Sequence, residues 1–405
     1  MLTVLTPEEA LGVISVAFQP CGAEENVPLA EACGRILIRD VLPAEAIPGF
    51  DRSTVDGYAL RAADTFGCSD SLPAILRLQG EIRMGEAAEA ALEPGACMAV
   101  PTGGALPPGA DACAMLEYAE DYGDGTVGIL KPAAPGENLI LRGDDARPGN
   151  AVLPAGRRLT PQDVGALAAL GVTEAAVCRK PLVGVISTGD ELVSAAEAPK
   201  VGQVRDVNAP VLEAMLRSSG ARTRFFGIVK DDEALLGETL DRALTDCDAV
   251  LISGGSSVGQ KDAARGVIER RGEMLFHGVA MKPGKPTMLG SVAGKAVFGL
   301  PGHPAAAAFA AQLFVLPLLD ILLGRASVRC PIPAVLSEPV SANHGRAQVM
   351  AVTLSRRDGT VYASPVRSKS GLITALAGAD GWFCIPRDRE GVHAGETVEV
   401  LLFDI

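Results

Sequence analysis

The chain has 405 residues, of which 48% are hydrophobic and 21% are charged, and its formal net charge is −13. This composition is typical of a folded protein with roughly two to four domains, and it excludes a largely disordered chain. A surface this acidic repels duplex nucleic acid and anionic membranes, so we expect neither as a partner.

Two helix starts of the same type flank a β-rich stretch in the first half of the chain. Thr6 and Thr160 are each followed by a proline and then by an acid in the first turn, which predicts a capped helix at both places. Between them, short apolar runs alternate with proline and glycine, as in strands joined by turns. We therefore predict a helical and linker domain made of residues 1–45 and 140–178, with a β-rich domain inserted at 46–139.

In the second half of the chain, apolar strands alternate with helices from 181 to 324. This alternation predicts a doubly wound, mostly parallel α/β sheet with helices on both faces, in a domain at 179–326. Strand-like runs with glycine turns follow, and they predict a small β-barrel at 327–405, with a sandwich as the alternative. The expected fold class is therefore multidomain, combining α/β and β units with the helical and linker domain.

The cysteines and the apolar segments indicate the compartment. The nine cysteines are dispersed without any Cys-x-x-Cys pair, which favours reduced thiols in a cytoplasmic protein over a disulfide framework or a zinc site. The first ten residues lack the basic and apolar regions of a signal peptide. The most apolar run, 305–323, is interrupted by Gln312, Pro317 and Asp320, so we expect a buried core helix there and no membrane span.

Polar and glycine-rich segments follow the strands of the α/β unit. These segments begin near Ser187, Asp231, Ser253, Lys282 and Leu300. In sheets of this type, ligands bind at the carboxyl ends of the strands. We therefore expect the five segments to converge on one crevice.

The side chains in these segments are suited to a metal and a phosphate. Glu191, Asp231 and Asp262 are hard oxygen ligands of the kind that bind Mg²⁺ together with a phosphate. The Gly-Gly-Ser-Ser loop after the strand at 249–253 can present backbone N–H groups to an oxyanion. The two lysines of the Lys-Pro-Gly-Lys-Pro segment can add positive charge.

Each segment also has a purely structural interpretation. A Gly-Gly-Ser loop is often only a turn, the pair Asp231 and Asp232 can cap the helix that follows, and the lysines can simply be solvated. His303 stands where a helix starts, directly before Pro304, at a position usually held by Asn, Asp, Ser or Thr. Among a ligand, a base and a helix cap, we favour a cap that lines an anion site.

Six motifs in chain order carry a resemblance to a known family: FDRSTVDGYALR, PTGGALPPGADA, ISTGDEL, LISGGSSVGQKD, GVAMKPGKP and GLPGHPAAA. Together they resemble the molybdopterin molybdenumtransferases, the molybdate insertases of molybdenum-cofactor biosynthesis, to which the E domain of gephyrin is related. The resemblance covers essentially the whole chain. The sequence departs from the family pattern at His303, where Asn is usual, and at Ser256, where Val is usual.

The resemblance implies an elongated four-part subunit that forms a homodimer, in which the partner's insertion domain brings DRSTVDGYALR to the crevice. The implied substrates are molybdate and adenylylated molybdopterin, with Mg²⁺ assisting. The phosphoanhydride is cleaved, AMP leaves, and the metal passes to the dithiolene sulfurs. The enzyme that adenylylates molybdopterin would be the upstream partner. The alternatives are a non-catalytic pterin-binding scaffold and a molybdopterin adenylyltransferase.

The family motifs imply roles for individual residues. Asp56, Glu191, Asp231 and Asp262 match acids tied to activity, and the last three would hold Mg²⁺. The residues implied to bind substrate are Thr102, Asp145, Ser187, Thr188, Gly189, Ser253, Gly254, Gly255, Ser257, Lys282, Lys285, Pro301, His303, Arg346 and Ser370. Within that set, the Gly-Gly-Ser-Ser loop would cradle the nucleotide phosphates, and the basic residues with Ser370 would hold molybdate and the pterin phosphate. A scaffold need not keep all four acids, so their presence favours the enzyme.

Overall fold

The computed structural model describes residues 4–254, 263–326, 329–367 and 371–403. The N-terminal segment contains α1 Pro7–Ala17, β1 Glu24–Pro28 and α2 Leu29–Ala32. At the start of α1, the Thr6 side chain accepts a hydrogen bond from the Glu9 N–H, and the Glu9 carboxylate accepts one from the Thr6 N–H. This reciprocal cap confirms the helix start expected at Thr6.

A β-sheet follows in the inserted segment. The strands of this segment are β2 Arg52–Ser53, β3 Gly57–Leu60, β4 Ala74–Glu81, β5 Ala96–Val100, β6 Ala112–Met115, β7 Ala119–Asp121 and β8 Thr126–Ile129. All of them except β2 form one sheet, in the order β6-β3-β5-β4-β8-β7. Cys97 and Met98, adjacent in β5, belong to different buried clusters. Because successive strand residues point to opposite faces, both faces of this sheet are covered.

The chain then returns to the N-terminal segment through β9 Leu139–Ile140, α3 Pro161–Ala169 and β10 Glu174–Cys178. β10 pairs antiparallel with β1. Val27 and Leu37 from the first segment pack in one buried cluster with Leu159, Leu167 and Val177 from the second. The two segments on either side of the insertion therefore share a core.

The α/β unit is built from a long series of strands and helices. These are β11 Leu182–Thr188, β12 Leu192–Val193, β13 Val204–Arg205, α4 Asn208–Ser218, β14 Arg222–Val229, α5 Glu233–Asp246, β15 Ala249–Ser253, α6 Ala263–Arg271, β16 Glu273–His277, β17 Met281–Lys282, β18 Met288–Val292, β19 Lys295–Leu300, α7 Pro304–Ala310 and α8 Leu316–Leu322. A π-helical turn, Ala311–Val315, joins α7 to α8.

The strand directions of this unit bring most strand ends to one edge. The sheet has the order β14-β11-β15-β19-β18-β16. The first four strands are parallel, and β18 is antiparallel to both of its neighbours. β16 therefore runs in the same direction as the parallel strands. The mostly parallel sheet expected from the sequence is confirmed.

Helices cover both faces of this sheet. One buried cluster includes Leu212 of α4, Phe298 of β19 and Phe314 of the π-helical turn, and a second includes Leu240 of α5 and Val267 of α6. This arrangement confirms the doubly wound unit. The continuous helix formed by α7, the π turn and α8 is long and apolar enough to cross a membrane, but 78% of that window is buried inside the protein. It is the core helix that the sequence predicts.

The C-terminal part forms a closed barrel. Its elements are β20 Ile332–Leu336, β21 Val340–Ser341, β22 Ala347–Arg357, β23 Thr360–Pro365, α9 Ile373–Ala377, β24 Gly381–Ile385, β25 Gly391–Val392 and β26 Thr397–Leu402. The strands pair in the order β22-β23-β20-β26-β24, and β24 pairs back with β22. The ring is thus complete, which confirms the barrel and rules out the sandwich. β17 of the α/β unit adds to β22 as a parallel neighbour.

Asp163 in the first turn of α3 is a buried carboxylate with several donors. It accepts hydrogen bonds from Arg157 Nε and from the Thr160 N–H, both at 2.9 Å. The bond from Arg157 in particular holds the pKa of Asp163 below its ordinary value of 3.8. Because the folded pKa is lower than the unfolded one, the carboxylate contributes its full stabilisation above the unfolded pKa. That contribution is lost as the pH falls through the folded pKa.

We expect Asp163→Asn to lower the free energy of unfolding by about 1 kcal/mol at neutral pH, because the amide keeps the helix cap but loses the charged partner of Arg157. The difference from wild type should shrink below about pH 4. Urea denaturation at several pH values measures both. Asp70→Asn, at an exposed turn, is the control and should leave stability unchanged. A difference for Asp163→Asn that is constant with pH would contradict the assignment.

Candidate active site

A cavity of about 1520 Å³ opens where the strands of the α/β sheet end. Its walls come from the strand ends, from the excursion at 189–207 and from the barrel residues that follow Arg346. Among the described residues, none that lines the cavity belongs to the insertion at 46–139. The cavity thus lies between the α/β unit and the barrel.

The carboxyl ends of the strands bring many of the predicted site residues to this cavity. Those that line it are Thr188, Gly189, Glu191, Asp231, Ser253, Gly254, Lys282, Lys285, Pro301, His303 and Arg346. They come from six separate loops, of which five belong to the α/β unit and one, that of Arg346, to the barrel.

Other predicted site residues lie elsewhere. Asp56 and Thr102 are exposed on the insertion, where the Thr102 N–H donates to Asp56 Oδ1 at 2.7 Å. Asp145 lies in a turn outside the α/β unit, and its N–H donates to a backbone carbonyl at 3.0 Å. Ser187 is fully buried and donates its hydroxyl proton to Asp206 at 2.6 Å. The predicted residues Gly255, Ser257, Asp262 and Ser370 fall outside the described residues.

Two carboxylates of the cavity lie against the turn that follows β11. Thr188 Oγ1 donates to Asp231 Oδ1 at 2.9 Å, which ties the end of β11 to the residue beyond β14. A side chain at Gly189 would meet both carboxylate oxygens of Glu191. Glu191 and Asp231 therefore both border the turn at 188–189.

The adjacent acids Asp231 and Asp232 have different surroundings. Asp232 accepts hydrogen bonds from the N–H groups of Ala234 and Leu235 at 2.8 and 2.9 Å and caps α5. Asp231 lines the cavity. Asp232 is therefore the helix cap, whereas Asp231 is part of the cavity wall.

The turn that carries Lys282 and Lys285 is held from three parts of the chain. The Ala280 N–H donates to the Leu5 carbonyl at 2.7 Å, and the Ala347 N–H donates to the Ala280 carbonyl at 2.8 Å. Within the turn, further backbone hydrogen bonds join its two arms. The N-terminal segment and the barrel therefore both fix the position of the lysines.

Four basic side chains that line the cavity have no acidic partner among the described residues. Lys282, Lys285 and Arg346 form no ion pair there, and Arg205 donates only to the backbone carbonyl oxygens of residues 195 and 197. Arg367, in contrast, bonds to Glu338 at 3.3 Å and to a backbone carbonyl. Uncompensated cations around one cavity favour the binding of a multiply charged anion.

His303 occupies the N-cap position of α7, but its side chain makes no capping hydrogen bond. Its backbone carbonyl accepts from the Ala307 N–H at 2.9 Å. A Cβ placed on Gly371 of the C-terminal unit would lie 3.9 Å from the His303 ring. His303 therefore holds the N-cap position and lines the cavity, as expected, but its side chain does not bond to the helix N–H groups, and its ring lies near Gly371 of the C-terminal unit.

The sequence analysis missed two polar residues beside the cavity, Asp206 and Asn208, which are buried to more than nine-tenths. Asp206 accepts the Ser187 hydroxyl proton, and Asn208 Nδ2 donates to Ser253 Oγ at 2.7 Å. In the sequence, these two residues appear only as a pair of short polar side chains at the start of a helix. That pattern is typical of an ordinary helix cap and does not by itself point to a site.

Gly254 lies where the end of β15 passes closest to β11. Its φ of +103° falls in the region that favours glycine, and a Cβ at this position would overlap the Thr188 carbonyl oxygen. Gly227 in β14 has a similar φ of +99°, but a Cβ there would meet no atom within 4 Å. Substitutions at the two glycines therefore separate two effects. Both positions share the backbone strain of a positive φ, but only Gly254 also has the close approach to Thr188.

Three family models match successive parts of the chain. They are the MoeA N-terminal region, domains I and II, at residues 5–171, a probable molybdopterin binding domain at residues 184–321, and the MoeA C-terminal region, domain IV, at residues 333–403. Together the three matches extend over most of the chain.

Proteins with similar sequence and structure extend over the same length. A molybdopterin molybdenumtransferase from Bacillus subtilis is 32% identical over 391 residues, which are 95% of this chain and 91% of the relative. Molybdopterin molybdenumtransferase 2 from Mycobacterium tuberculosis is 36% identical, over 93% of this chain and 94% of the relative. A crystal structure of a molybdopterin biosynthesis MoeA protein from Pyrococcus horikoshii OT3 is similar at a TM-score of 0.88 and 32% identity, over 99% of this chain and 100% of that one.

We expect Gly254→Ala to separate the ends of β11 and β15 and to weaken the binding of AMP, a ligand that we propose for this cavity, at least about tenfold, as displacements near 1 Å can do at such sites. Gly227→Ala should cost about 1–3 kcal/mol of stability through strain alone and should leave AMP affinity unchanged. Calorimetric titration with AMP and thermal denaturation measure the two effects. Equal AMP affinity in both variants would show that the close approach at Gly254 is not needed.

Proposed function

The chain belongs to the molybdopterin molybdenumtransferase family, and from that premise we propose that it inserts molybdate into adenylylated molybdopterin, with release of AMP. The observation that carries this proposal is the charge arrangement of the cavity. Lys282, Lys285 and Arg346, which have no acidic partner among the described residues, lie in the same walls as two carboxylates that border one turn. Such a site can bind an oxyanion and a metal-phosphate group side by side.

The cations would bind molybdate and the pterin phosphate. Molybdate is a tetrahedral dianion, which needs charge-assisted donors and not metal-type ligands. Lys282, Lys285 and Arg346 are such donors, and the backbone bonds from Leu5 and Ala347 keep the lysine turn in place. Removal of these bonds would leave the lysines on a less ordered loop.

The nucleotide phosphates would lie at the end of β15. The Gly254 N–H is already donated to the Leu300 carbonyl at 3.3 Å, so Gly254 would contribute space for close approach and not a hydrogen bond. Ser253 Oγ accepts from Asn208 and retains its own proton for donation. The further donors of the Gly-Gly-Ser-Ser loop would come from the residues that follow.

Glu191 and Asp231 fit the donor chemistry of Mg²⁺. This ion is usually held by one or two carboxylates together with substrate phosphates and water. Among the described residues there is no cluster of three metal-binding side chains, so the two carboxylates would need further ligands from substrate phosphates or water. When bound, Mg²⁺ would neutralise charge on the phosphates as AMP leaves. Asp262 remains the third candidate ligand.

We further propose a homodimer in which the partner's insertion completes each cavity. Asp56 and Thr102 support this arrangement, because they are exposed, are held together by a hydrogen bond, and lie on a unit that contributes no described residue to the cavity of its own chain. The enzyme that adenylylates molybdopterin would supply the substrate.

A cytoplasmic location agrees with the thiols. All nine cysteines are free, and burial raises the pKa of the Cys97 and Cys247 thiols to about 11. These thiols therefore stay protonated and unreactive at neutral pH.

The proposal is tested by incubating the protein with adenylylated molybdopterin, molybdate and Mg²⁺, and measuring AMP release and cofactor formation. AMP release that depends on both molybdate and Mg²⁺ is expected. Binding of pterin without AMP release would favour the scaffold alternative. Adenylylation of molybdopterin from ATP in the absence of molybdate would favour the adenylyltransferase.

Neighbouring acids provide a matched pair of variants. We expect Asp231→Asn to lower the rate of AMP release about 100-fold, because one Mg²⁺ ligand is lost. Asp232→Asn should retain the wild-type rate, because an amide oxygen can still accept the two hydrogen bonds that cap α5. A Mg²⁺ titration of both variants shows whether the loss reflects metal affinity. Similar rates for the two variants would remove Asp231 from the site.

A shared site predicts complementation between inactive variants. Asp56→Asn and Asp231→Asn should each be inactive alone, but a reassorted mixture should recover about a quarter of wild-type activity, since half of the dimers are mixed and each has one intact cavity. AMP release after mixing, with chain exchange verified by mass spectrometry, measures this. No recovery in a fully exchanged mixture would place Asp56 and Asp231 in one protomer's site.

A further inference from the structure

Asp206 and Asn208, at the start of α4, connect three strand ends beside the cavity. Asp206 is 5% exposed and Asn208 is 8% exposed. The Asp206 carboxylate accepts hydrogen bonds from Ser187 Oγ at 2.6 Å and from two N–H groups in the first turn of α4 at 3.1 and 3.2 Å. A buried carboxylate requires such donors to offset its desolvation. Asp206 therefore fixes the first turn of α4 against β11.

The orientation of the Asn208 amide follows from its partners. Nδ2 donates to Ser253 Oγ at 2.7 Å and to the Gly302 carbonyl oxygen at 2.9 Å. A carbonyl oxygen can only accept, so the amide nitrogen, and not the amide oxygen, must face Gly302. Both amide protons are used in this way, one at the end of β15 and one on the turn after β19.

This orientation of the Asn208 amide has a free-energy cost, which arises at the amide oxygen. Asn208 Oδ1 is buried and, within the described residues, accepts no hydrogen bond. A buried acceptor without a donor costs roughly 1–3 kcal/mol. Stability alone therefore does not account for Asn208. Its contribution is to hold two acceptors in place with two donors.

Both of those acceptors belong to the wall of the proposed active site. Ser253 and Gly302 line the cavity, and Gly302 directly precedes His303. Because Ser253 Oγ accepts from Asn208, its own O–H is directed away from Asn208. A change in the Asn208 donors would thus reorient the Ser253 hydroxyl and release the Gly302 turn.

We propose that Asn208 is a positioning residue for molybdenum transfer, which sets the Ser253 hydroxyl and the turn at Gly302 and His303 relative to each other, while Asp206 holds Asn208. The inference rests on the proposed function of the cavity. Asn208 acts through these two groups and not on the reacting atoms.

Asn208→Asp tests the proposal with little change in shape. The substitution replaces both N–H donors by an acceptor that faces the Gly302 carbonyl. We expect kcat for AMP release to fall about 100-fold, as misplacement of about 1 Å does, with a much smaller change in KM because the cavity cations are untouched. Asn150→Asp, at an exposed turn of the N-terminal unit, is the matched control and should retain wild-type kcat.

A double-mutant cycle separates positioning from general stability. If Asn208 acts partly through Ser253, the combined Asn208→Ala and Ser253→Ala variant should lose less activity than the product of the two single losses. Losses that multiply fully in folded proteins would mean that Asn208 does not act through Ser253. Where the alanine variants unfold, the cycle is run with Asn208→Asp.

Hydrogen exchange gives a measurement that does not depend on activity. The amides of Leu300, Gly302 and His303 should exchange about tenfold faster in Asn208→Asp than in wild type, and those of β1 should be unchanged. If wild type releases no AMP, the proposed function is wrong, and exchange still decides whether Asn208 positions the turn. Wild-type exchange in Asn208→Asp, or wild-type kcat where wild type is active, would overturn the inference.

Discussion

The cavity depends on the pairing of two residues of the α/β unit with a strand of the barrel. Met281 and Lys282 run parallel to Ala347 and Gln348, which brings the barrel against the edge where the strands of the sheet end. Without this pairing, Lys282 and Arg346 would lie on separate surfaces. With it, they line one wall, and the loops that carry the carboxylates form the other. The site is thus a product of packing between units, and neither unit contains it alone.

The distribution of charge complements this geometry. The protein is acidic as a whole, with a formal net charge of −13. Several buried or partly buried acids of the scaffold are paired with arginine, among them Asp320 with Arg325 at 2.6 Å and Asp248 with Arg179 at 2.8 Å. Lys282, Lys285 and Arg346 are left without such partners in the described structure. The cavity can therefore attract small anions although the protein as a whole repels polyanions.

Local chemistry determined how much of the fold the sequence could predict. The caps at Thr6 and Thr160 depend on residues within one turn, so both helix starts were predictable. The convergence of the loops was predictable because strand direction alone decides at which edge a loop emerges. The barrel was predicted from its short strands, but the sandwich could be excluded only by the pairing of β22 with β24, which the sequence does not reveal.

The details of the site were less predictable than its location. Asp206 and Asn208 have the sequence context of a helix cap, and their other role depends on contacts with Ser187, Ser253 and Gly302, which are distant in sequence. His303 was expected to cap α7, but an imidazole is longer than the short side chains that reach back to helix N–H groups, and here no such bond forms. The roles of these residues depend on three-dimensional contacts that a sequence motif does not determine.

The lysine turn also has a consequence for biosynthesis of the protein itself. Leu5 leaves the ribosome first among the groups that hold this turn, and Ala347 leaves long after the turn has been made. Domains form largely in order during translation. The α/β unit can therefore fold before its lysines reach their final place, which requires the barrel strand at Ala347. A nascent or truncated chain would thus carry a folded sheet in which the lysine turn is not yet held by the barrel.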